Sequence, residues 1–186
     1  VEALLLVSNP DRIVIATNAG AVILDPATNE RFVLAPPELP NAIVRSLWAT
    51  KGSLFLGTGG GLVETRLGKG KPEVVRLLDT TTSPALPNDT VYRLEAASGQ
   101  LFAMTGRGIA RIQGAPRTWD SSDGLPSNEC NFGASTVDAD GRLWIGTPRG
   151  AAVLDPRADR RPPRSPLVVK ATHGLSALPL TPGLSL

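Results

Sequence analysis

Short apolar runs alternate with polar segments rich in glycine and proline along most of the chain. Each run is only a few residues long, and its ends carry turn-forming residues. Runs of this kind are typical of β-strands, because a helix needs ten or more residues to build a comparable apolar face. The pattern therefore predicts an all-β protein made of short antiparallel hairpins.

The apolar runs recur in a register that a threonine marks. The threonines are Thr17, Thr58, Thr105 and Thr147. Three residues after each stands a glycine, namely Gly20, Gly61, Gly108 and Gly150. Three residues before each stands a large apolar residue, namely Val14, Phe55, Phe102 and Trp144. The threonines are 41, 47 and 42 residues apart, and a period in the forties is typical of four-stranded propeller blades.

We assign residues 1–157 to about four such repeats of four antiparallel strands, with essentially no α-helix. Their approximate bounds are 1–41, 42–88, 89–128 and 129–157. The fourth repeat shows three clear strands, because Arg161-Pro162-Pro163 stands where its outer strand would fall and proline has no N–H to give to a sheet. Residues 158–166 are predicted to be a linker rich in proline and arginine.

The second strand of each repeat is apolar without alternation. These strands are Ile13–Ile15, Leu54–Leu56, Leu101–Ala103 and Leu143–Ile145. A strand with one wet face alternates apolar and polar residues, so we expect both faces of these strands to be covered. Stacked propeller blades meet this requirement, and strands in a sandwich core are the alternative. Trp144 is accordingly predicted to lie in the core.

Composition argues against several kinds of chemistry. The 19 basic and 17 acidic residues are interspersed, which is not the pattern of a nucleic-acid-binding surface. The single histidine, His173, and the single cysteine, Cys130, cannot supply a zinc site or the base of a catalytic triad. We therefore expect no metal and no cofactor. Asp138 and Asp140 are interpreted as residues of a hairpin turn rather than as a glycosidase pair.

Polar residues that suit ligand binding fall in two kinds of loop. Asn41, Asn88 and Asn128 lie in connections that precede the first strand of a repeat, and Arg107 and Arg149 follow the repeat threonines in the next turn. In a propeller these loops share one end of the disc. Because arginine forks bind carboxylate or sulfate groups, these five residues are a candidate site for an anionic ligand. Solvated turn arginines are the simpler alternative.

The repeats resemble the two-component-regulator propeller repeats of bacterial sensor proteins. The resemblance covers roughly residues 1–157 and rests on Asp140–Thr147, Gly59–Leu62 and the segment from Asn88 to Leu94. Two further segments, Glu129–Ala134 and Gly150–Pro156, resemble the last blade of such sensors. The pattern departs from the family at Asp11, which replaces a turn glycine, and at Met104, which precedes its threonine.

The resemblance extends beyond the repeats. In this family an immunoglobulin-like β-sandwich follows the propeller, and Pro162–Val169 is similar to its opening. Residues 167–186 are therefore predicted to be the start of a truncated β-sandwich domain, or else a tail. Because the family's propellers often have seven blades, the resemblance also implies that this chain is the C-terminal portion of a larger propeller.

The function that the resemblance implies is sensing. The chain would be the periplasmic or extracellular ligand-sensing part of an inner-membrane receptor, itself without catalysis, that controls a histidine kinase or a diguanylate cyclase. Its partners would be a small molecule or an oligosaccharide, including an anionic one, and the remaining blades or a second chain. The full receptor would be a homodimer that binds no nucleic acid. Two alternatives stay open, namely a protein-interaction scaffold and a fragment of a propeller lyase or glycosidase.

Overall fold

The chain forms a series of antiparallel sheets in which strands adjacent in sequence are adjacent in space. The computed structural model describes residues 1–8 and 10–158, and the backbone of residues 172–173 and 176–177. Sheet 1 contains β1 (Ala3–Val7), β2 (Arg12–Thr17), β3 (Gly20–Leu24) and β4 (Arg31–Leu34); sheet 2 contains β5 (Val44–Thr50), β6 (Ser53–Thr58), β7 (Gly61–Arg66) and β8 (Glu73–Leu78). Sheet 3 contains β9 (Val91–Ala97), β10 (Gln100–Thr105), β11 (Gly108–Arg111) and β12 (Arg117–Trp119); sheet 4 contains β13 (Ser135–Val137), β14 (Leu143–Thr147) and β15 (Gly150–Leu154).

The predicted all-β fold class is confirmed. Within the described residues the one helix is a single 3-10 turn at Ser121–Asp123, and no helix there is long and apolar enough to cross a membrane. Two short strands, β16 (Thr172–His173) and β17 (Ser176–Ala177), pair with each other. Apart from Ala158 and these two strands, the predicted linker and the predicted β-sandwich start lie outside the described residues.

The repeat threonine closes the turn between the second and third strands of every sheet. Its hydroxyl donates to the carbonyl of the repeat glycine at 2.8 Å in all four copies. The same oxygen accepts the backbone N–H two residues after the threonine, at 3.0 to 3.3 Å. The glycine has a positive φ, and a Cβ at Gly20 or Gly108 would collide with the carbonyl oxygen of Leu34 or Trp119 on the fourth strand. The sequence repeat is therefore a turn motif.

Adjacent sheets pack face to face, and each interface joins the same two kinds of face. We call the face that carries the residue three before the repeat threonine the forward face, and the opposite one the back face. The forward face of each sheet packs on the back face of the next. The pairs are Val14 and Ala16 with Leu54 and Leu56, then Phe55 with Leu101 and Ala103, then Phe102 and Met104 with Leu143 and Ile145.

The back face of sheet 1 is uncovered in the described part of the chain. Two rows of side chains cross its four strands, namely Leu4, Ile15, Val22 and Val33, and Leu6, Ile13, Leu24 and Arg31. Seven of these eight residues are aliphatic, and Leu4 and Leu6 are 61% and 71% exposed. The surface is therefore of the apolar kind that the interior interfaces bury.

The forward face of sheet 4 is likewise uncovered by any described residue. Thr136, Trp144 and Val153 form one row across its three strands, and Trp144 is 40% exposed. Among the described residues, the prediction that both faces of the second strands are covered is confirmed for β6 and β10 and is wrong for β2 and β14. The core position predicted for Trp144 is also wrong, because no described residue packs over its face of the sheet.

The first strands of the sheets approach one another most closely. β1 contacts β5, β5 contacts β9, and β9 contacts β13, so these strands form the inner side of the stack. Polar contacts tie the sheets together: the Leu94 N–H donates to Ser46 Oγ at 2.9 Å, and Ser135 Oγ donates to Glu95 at 3.2 Å. Buried Arg12 joins sheet 1 to sheet 2 by donating to the carbonyl of Gly68 at 3.0 Å.

Candidate functional site

The connections between sheets lie against the threonine turns. A Cβ placed on Gly59 would come within 3.0 Å of the Asn41 side chain, and one on Gly106 within 2.8 Å of Asn88 Oδ1. The Gly106 N–H also donates to the carbonyl of Thr90 at 3.2 Å. The structure therefore brings the residues around Asn41 and Asn88 together with the turns after β6 and β10, at one end of the stack.

The three candidate asparagines shape these connections. Asn41 Oδ1 accepts the Ile43 N–H at 2.8 Å, and Asn88 Oδ1 accepts the Thr90 N–H at 3.0 Å. Asn128 differs, because its Oδ1 accepts the Ser121 N–H at 2.6 Å and so holds the 3-10 turn. Their oxygens are therefore engaged with the backbone, which leaves the amide NH2 groups as the donors available to a ligand.

The two candidate arginines are exposed on consecutive sheets. Arg107 lies in the turn from β10 to β11, and Arg149 in the turn from β14 to β15. The backbone N–H of each donates to its repeat threonine, at 3.2 and 3.3 Å. Among the described residues, neither guanidinium has an acidic partner or a hydrogen bond. The structure therefore leaves both charges free to meet an anion.

Two residues at this end were missed by sequence reasoning, namely Arg45 and Tyr92. The pairing of β5 with β6 steps from Val44 to Ser46, and the pairing of β9 with β10 steps from Val91 to Arg93. Arg45 and Tyr92 are thus the extra residues of two β-bulges, a feature that re-aims a side chain. The guanidinium carbon of Arg45 lies 5.9 Å from the centre of the Tyr92 ring. The available signal was their identical offset from the repeat threonine.

A hollow of about 400 Å³ lies elsewhere, between the outer parts of sheets 2 and 3. Leu78, Leu86 and Ile112 line it together with Arg111 and Arg117. Both arginines are engaged: Arg111 Nε donates to the Ala115 carbonyl at 2.7 Å, and the Arg117 guanidinium lies 4.7 Å from the Trp119 ring. None of the predicted site residues lines this hollow.

Asp138 organises the hairpin between β13 and β14. Its Oδ1 accepts the backbone N–H groups of Asp140 and Arg142, and its Oδ2 accepts Trp144 Nε1–H at 2.9 Å. The bond from Trp144, with those from Arg142, lowers the pKa of the Asp138 carboxyl to about 2. The interpretation of Asp138 as a turn residue is therefore confirmed. Asp140 is 69% exposed and pairs with Arg142 at 3.2 Å.

Asp25 and Cys130 have structural roles. Asp25 Oδ1 accepts the backbone N–H groups of Ala27 and Thr28, and the bond from Ala27 is the main reason that its pKa is lowered. Cys130 is buried between sheets 3 and 4, and burial raises the pKa of its thiol to about 11. In the part of the chain that the structure describes, no three His, Cys, Asp or Glu residues are grouped so that they could hold a metal ion.

The segment that carries the last turn motif also has a family match. Residues 124–149 match the two component regulator propeller family. This region includes β13, β14, the Asp138 hairpin and Thr147. A search of curated proteins finds no match to the chain.

Three of the similar solved proteins are two extracellular domains and one bacterial surface component. The extracellular domain of BT4673 from B. thetaiotaomicron, described both as a one component and as a hybrid two component system, aligns with 82% of this chain at 19% identity and a TM-score of 0.61. The extracellular domain of the hybrid two component system BT3049 from B. thetaiotaomicron aligns with 98% of this chain at 18% identity and a TM-score of 0.53. PorZ of Porphyromonas gingivalis, a surface component of the type-IX secretion system, aligns with 81% at 14% identity and a TM-score of 0.60.

The alignments cover only part of these larger structures. They span 21% of the BT4673 domain, 33% of the BT3049 domain and 25% of PorZ. At these identities the likeness shows the fold. The four sheets thus match part of larger propeller domains, two of which are extracellular domains of signalling systems.

Proposed function

We propose that this chain is part of the extracytoplasmic, ligand-sensing propeller of a bacterial transmembrane receptor. It has no catalytic role of its own, and its output is a histidine kinase or a diguanylate cyclase. The ligand is a small molecule or an oligosaccharide that carries a negative charge. The receptor is a homodimer, and further blades complete the propeller of which these four sheets form the C-terminal portion.

The observation that carries this proposal is the combination of repeat type and fold. Residues 124–149 match a propeller family named for two component regulators, and two of the similar structures are extracellular domains of such systems. The geometry favours binding over catalysis, because the carboxylates of Asp25 and Asp138 accept backbone N–H groups within turns. Free charges stand instead at the end of the stack where loops of adjacent sheets converge.

The five sequence-predicted residues would take part through two kinds of contact. Arg107 and Arg149 offer exposed guanidinium groups that suit carboxylate or sulfate. Asn41, Asn88 and Asn128 offer amide NH2 groups in the connections between the sheets. A ligand that bridges two sheets binds one arrangement of the propeller more tightly than another. This difference in affinity shifts the population of receptor states.

The test is a ligand screen followed by a matched pair of variants. The purified chain is screened by thermal shift against neutral and acidic oligosaccharides and organic acids, since a ligand that binds only the folded state raises the melting temperature. Calorimetry with a hit then compares the wild type with the double variant Arg107→Ala/Arg149→Ala. We expect an unchanged melting temperature without ligand and at least about tenfold weaker binding in the variant.

The control is Arg66→Ala, because Arg66 is an exposed arginine on β7 that pairs with Glu73. Equal affinity in the double variant and the wild type would remove Arg107 and Arg149 from the site. Conversion of the ligand into a new product during incubation, followed by mass spectrometry, would contradict the non-catalytic role. Loss of ligand-dependent transcription or cyclic-diguanylate synthesis in cells that carry the double variant would support the receptor role.

The likeness to PorZ favours a second candidate function. PorZ shares the fold at a TM-score of 0.60 and is a surface component of a secretion system. A propeller of this type can therefore belong to an assembly other than a signalling receptor. This second function would be supported if the end bearing Arg107 and Arg149 bound a protein partner and no small molecule.

A further inference from the structure

Arg45 is a half-buried cation without a counterion among the described residues. The other buried or half-buried arginines among the described residues have partners. For example, Arg12 pairs with Asp25 at 2.9 Å, and Arg142 pairs with Asp138 at 2.8 Å. Arg45 has neither an ion pair nor a hydrogen bond there, and its Nη1 is fully enclosed. A ligand cannot reach an enclosed nitrogen, so a counterion for this cation has to approach the guanidinium nitrogens that solvent still reaches.

The bulged backbone and the Tyr92 ring fix the orientation of this cation. Arg45 and Tyr92 occupy the same repeat position on neighbouring inner strands, and the ring faces the guanidinium at 5.9 Å. An arginine stacked on an aromatic ring keeps its hydrogen-bonding edge free. Because Nη1 is the enclosed nitrogen, the edge formed by Nε and Nη2 is the one that can receive a ligand. That edge presents two parallel N–H groups, which match the two oxygens of a carboxylate.

We propose that Arg45, held by Tyr92, binds the carboxylate of a small organic acid at the inner end of the interface between sheets 2 and 3. The inference rests on the proposed sensor function for its role in the cell and names the class of ligand. The fourth repeat has Ala134 at the same position, so this pair of side chains belongs to one interface. The Arg45–Tyr92 pair is a more specific site for a carboxylate than the exposed turn arginines Arg107 and Arg149 alone, because Tyr92 fixes the orientation of the guanidinium.

The surroundings add polar groups at the turn after β10. The hydroxyl of Tyr92 lies 3.8 Å from the point that a Cβ on Gly106 would occupy, and Asn88 Oδ1 lies closer still. Arg107 is the next residue after Gly106 and is exposed. Tyr92 thus brings the Arg45 site up to the turn that carries Arg107, where the Tyr92 hydroxyl and the Asn88 amide suit an acid that also carries hydroxyl groups.

Tyr92 allows this proposal to be tested without a mutation, because it is the single tyrosine of the sequence. The full chain is labelled with ¹³C-tyrosine and titrated with D-glucuronate, with D-glucose as the neutral match. We expect saturable shifts of the Tyr92 ring signals with D-glucuronate and none with D-glucose. No shift with D-glucuronate, or equal shifts with both sugars, would overturn the proposal.

Variants of Arg45 and Tyr92 test whether the carboxylate is bound by the two parallel N–H groups of arginine or by its positive charge alone. Arg45→Lys keeps the charge and loses the fork, so it should weaken D-glucuronate binding by about tenfold, whereas Arg31→Lys on the exposed strand β4 should leave it unchanged. Tyr92→Phe keeps the ring and should retain most of the affinity. Equal binding by wild type and Arg45→Lys, or equally tight binding of sulfate, would contradict the carboxylate assignment. A negative result for Arg45 would not contradict the proposed sensor function, which the receptor-output test with Arg107 and Arg149 examines separately.

Discussion

At the scale of single residues, burial depends on which sheet carries the repeat position. Phe55, Phe102 and Trp144 stand at the same place before their threonines, yet they are 1%, 0% and 40% exposed. The first two face another sheet, and Trp144 faces the open side of sheet 4. Sequence reasoning could assign all three to one face of a strand. It could not show that Trp144 lies on a face that no described sheet covers.

The difference between Phe102 and Trp144 gives a direct prediction. Phe102→Ala should reduce the free energy of unfolding by about 3–5 kcal/mol, as for other buried aromatic side chains. Trp144→Ala should cost less, about 1–2 kcal/mol, because its ring is already partly hydrated. Chemical denaturation of the two variants measures both values. An equal or larger loss for Trp144→Ala would mean that its face is covered in solution.

Cys130 should be unreactive in the folded chain. Its thiol is buried between sheets 3 and 4, and its pKa is raised to about 11, so very little thiolate exists at pH 8. Reaction with a disulfide reagent at pH 8 should be slow for the native chain and fast after denaturation in urea. Rapid modification of the native chain would show that the interface around Cys130 opens readily.

At the scale of elements, the turn motif was predictable and the bulges were not. A threonine and a glycine at a fixed spacing recur four times, and the structure shows the hydroxyl and the positive φ that require them. The bulges at Arg45 and Tyr92 share an offset from the repeat threonine but no residue type, because any residue can occupy a bulged position of this kind. The free charges of Arg107 and Arg149 could be placed in turns, whereas the absence of acidic partners depends on tertiary structure.

The turn motif predicts a position-specific cost for added side chains. Gly108→Ala should destabilise the chain by more than about 1 kcal/mol, because its φ is +117° and the new Cβ meets the carbonyl of Trp119. Gly52→Ala is the matched control: its φ is also positive at +85°, but nothing lies within 4 Å. Thermal unfolding of both variants tests this. Equal losses would show that the backbone angle alone sets the cost.

The Asp138 hairpin predicts a loss of stability in acid. The folded-state pKa of Asp138 is lowered from 3.8 to about 2 by the bonds from Trp144 and Arg142. Its contribution is therefore fully present above about pH 5 and is lost as the pH falls through 4 towards 2. Urea denaturation from about pH 6 to 2 should show a smaller acid-dependent loss in Asp138→Asn than in wild type. Asp140→Asn, in the same hairpin but exposed, is the control; identical profiles for wild type and Asp138→Asn would refute the assignment.

At the scale of the whole molecule, the sequence indicated the number of repeats and the stacking of sheets. The three interior interfaces follow one rule, forward face on back face. The same rule leaves a back face open on sheet 1 and a forward face open on sheet 4 in the described residues. Each open surface is of the kind that another sheet covers elsewhere in the stack, which agrees with the match to part of larger propellers.

These open faces predict that the isolated chain associates in solution. Leu4, Leu6 and Val33 are more than half exposed within one aliphatic face, and apolar surfaces of this extent drive association. Light scattering at rising protein concentration should therefore give a mass above that of the 19.5 kDa monomer. Leu6→Lys should reduce the association, whereas Val75→Lys, on the exposed outer strand β8 of an interior sheet, should not. A monomer at all concentrations with a sharp melt would show that both faces are covered within a single copy, which would contradict the exposure of the two end sheets.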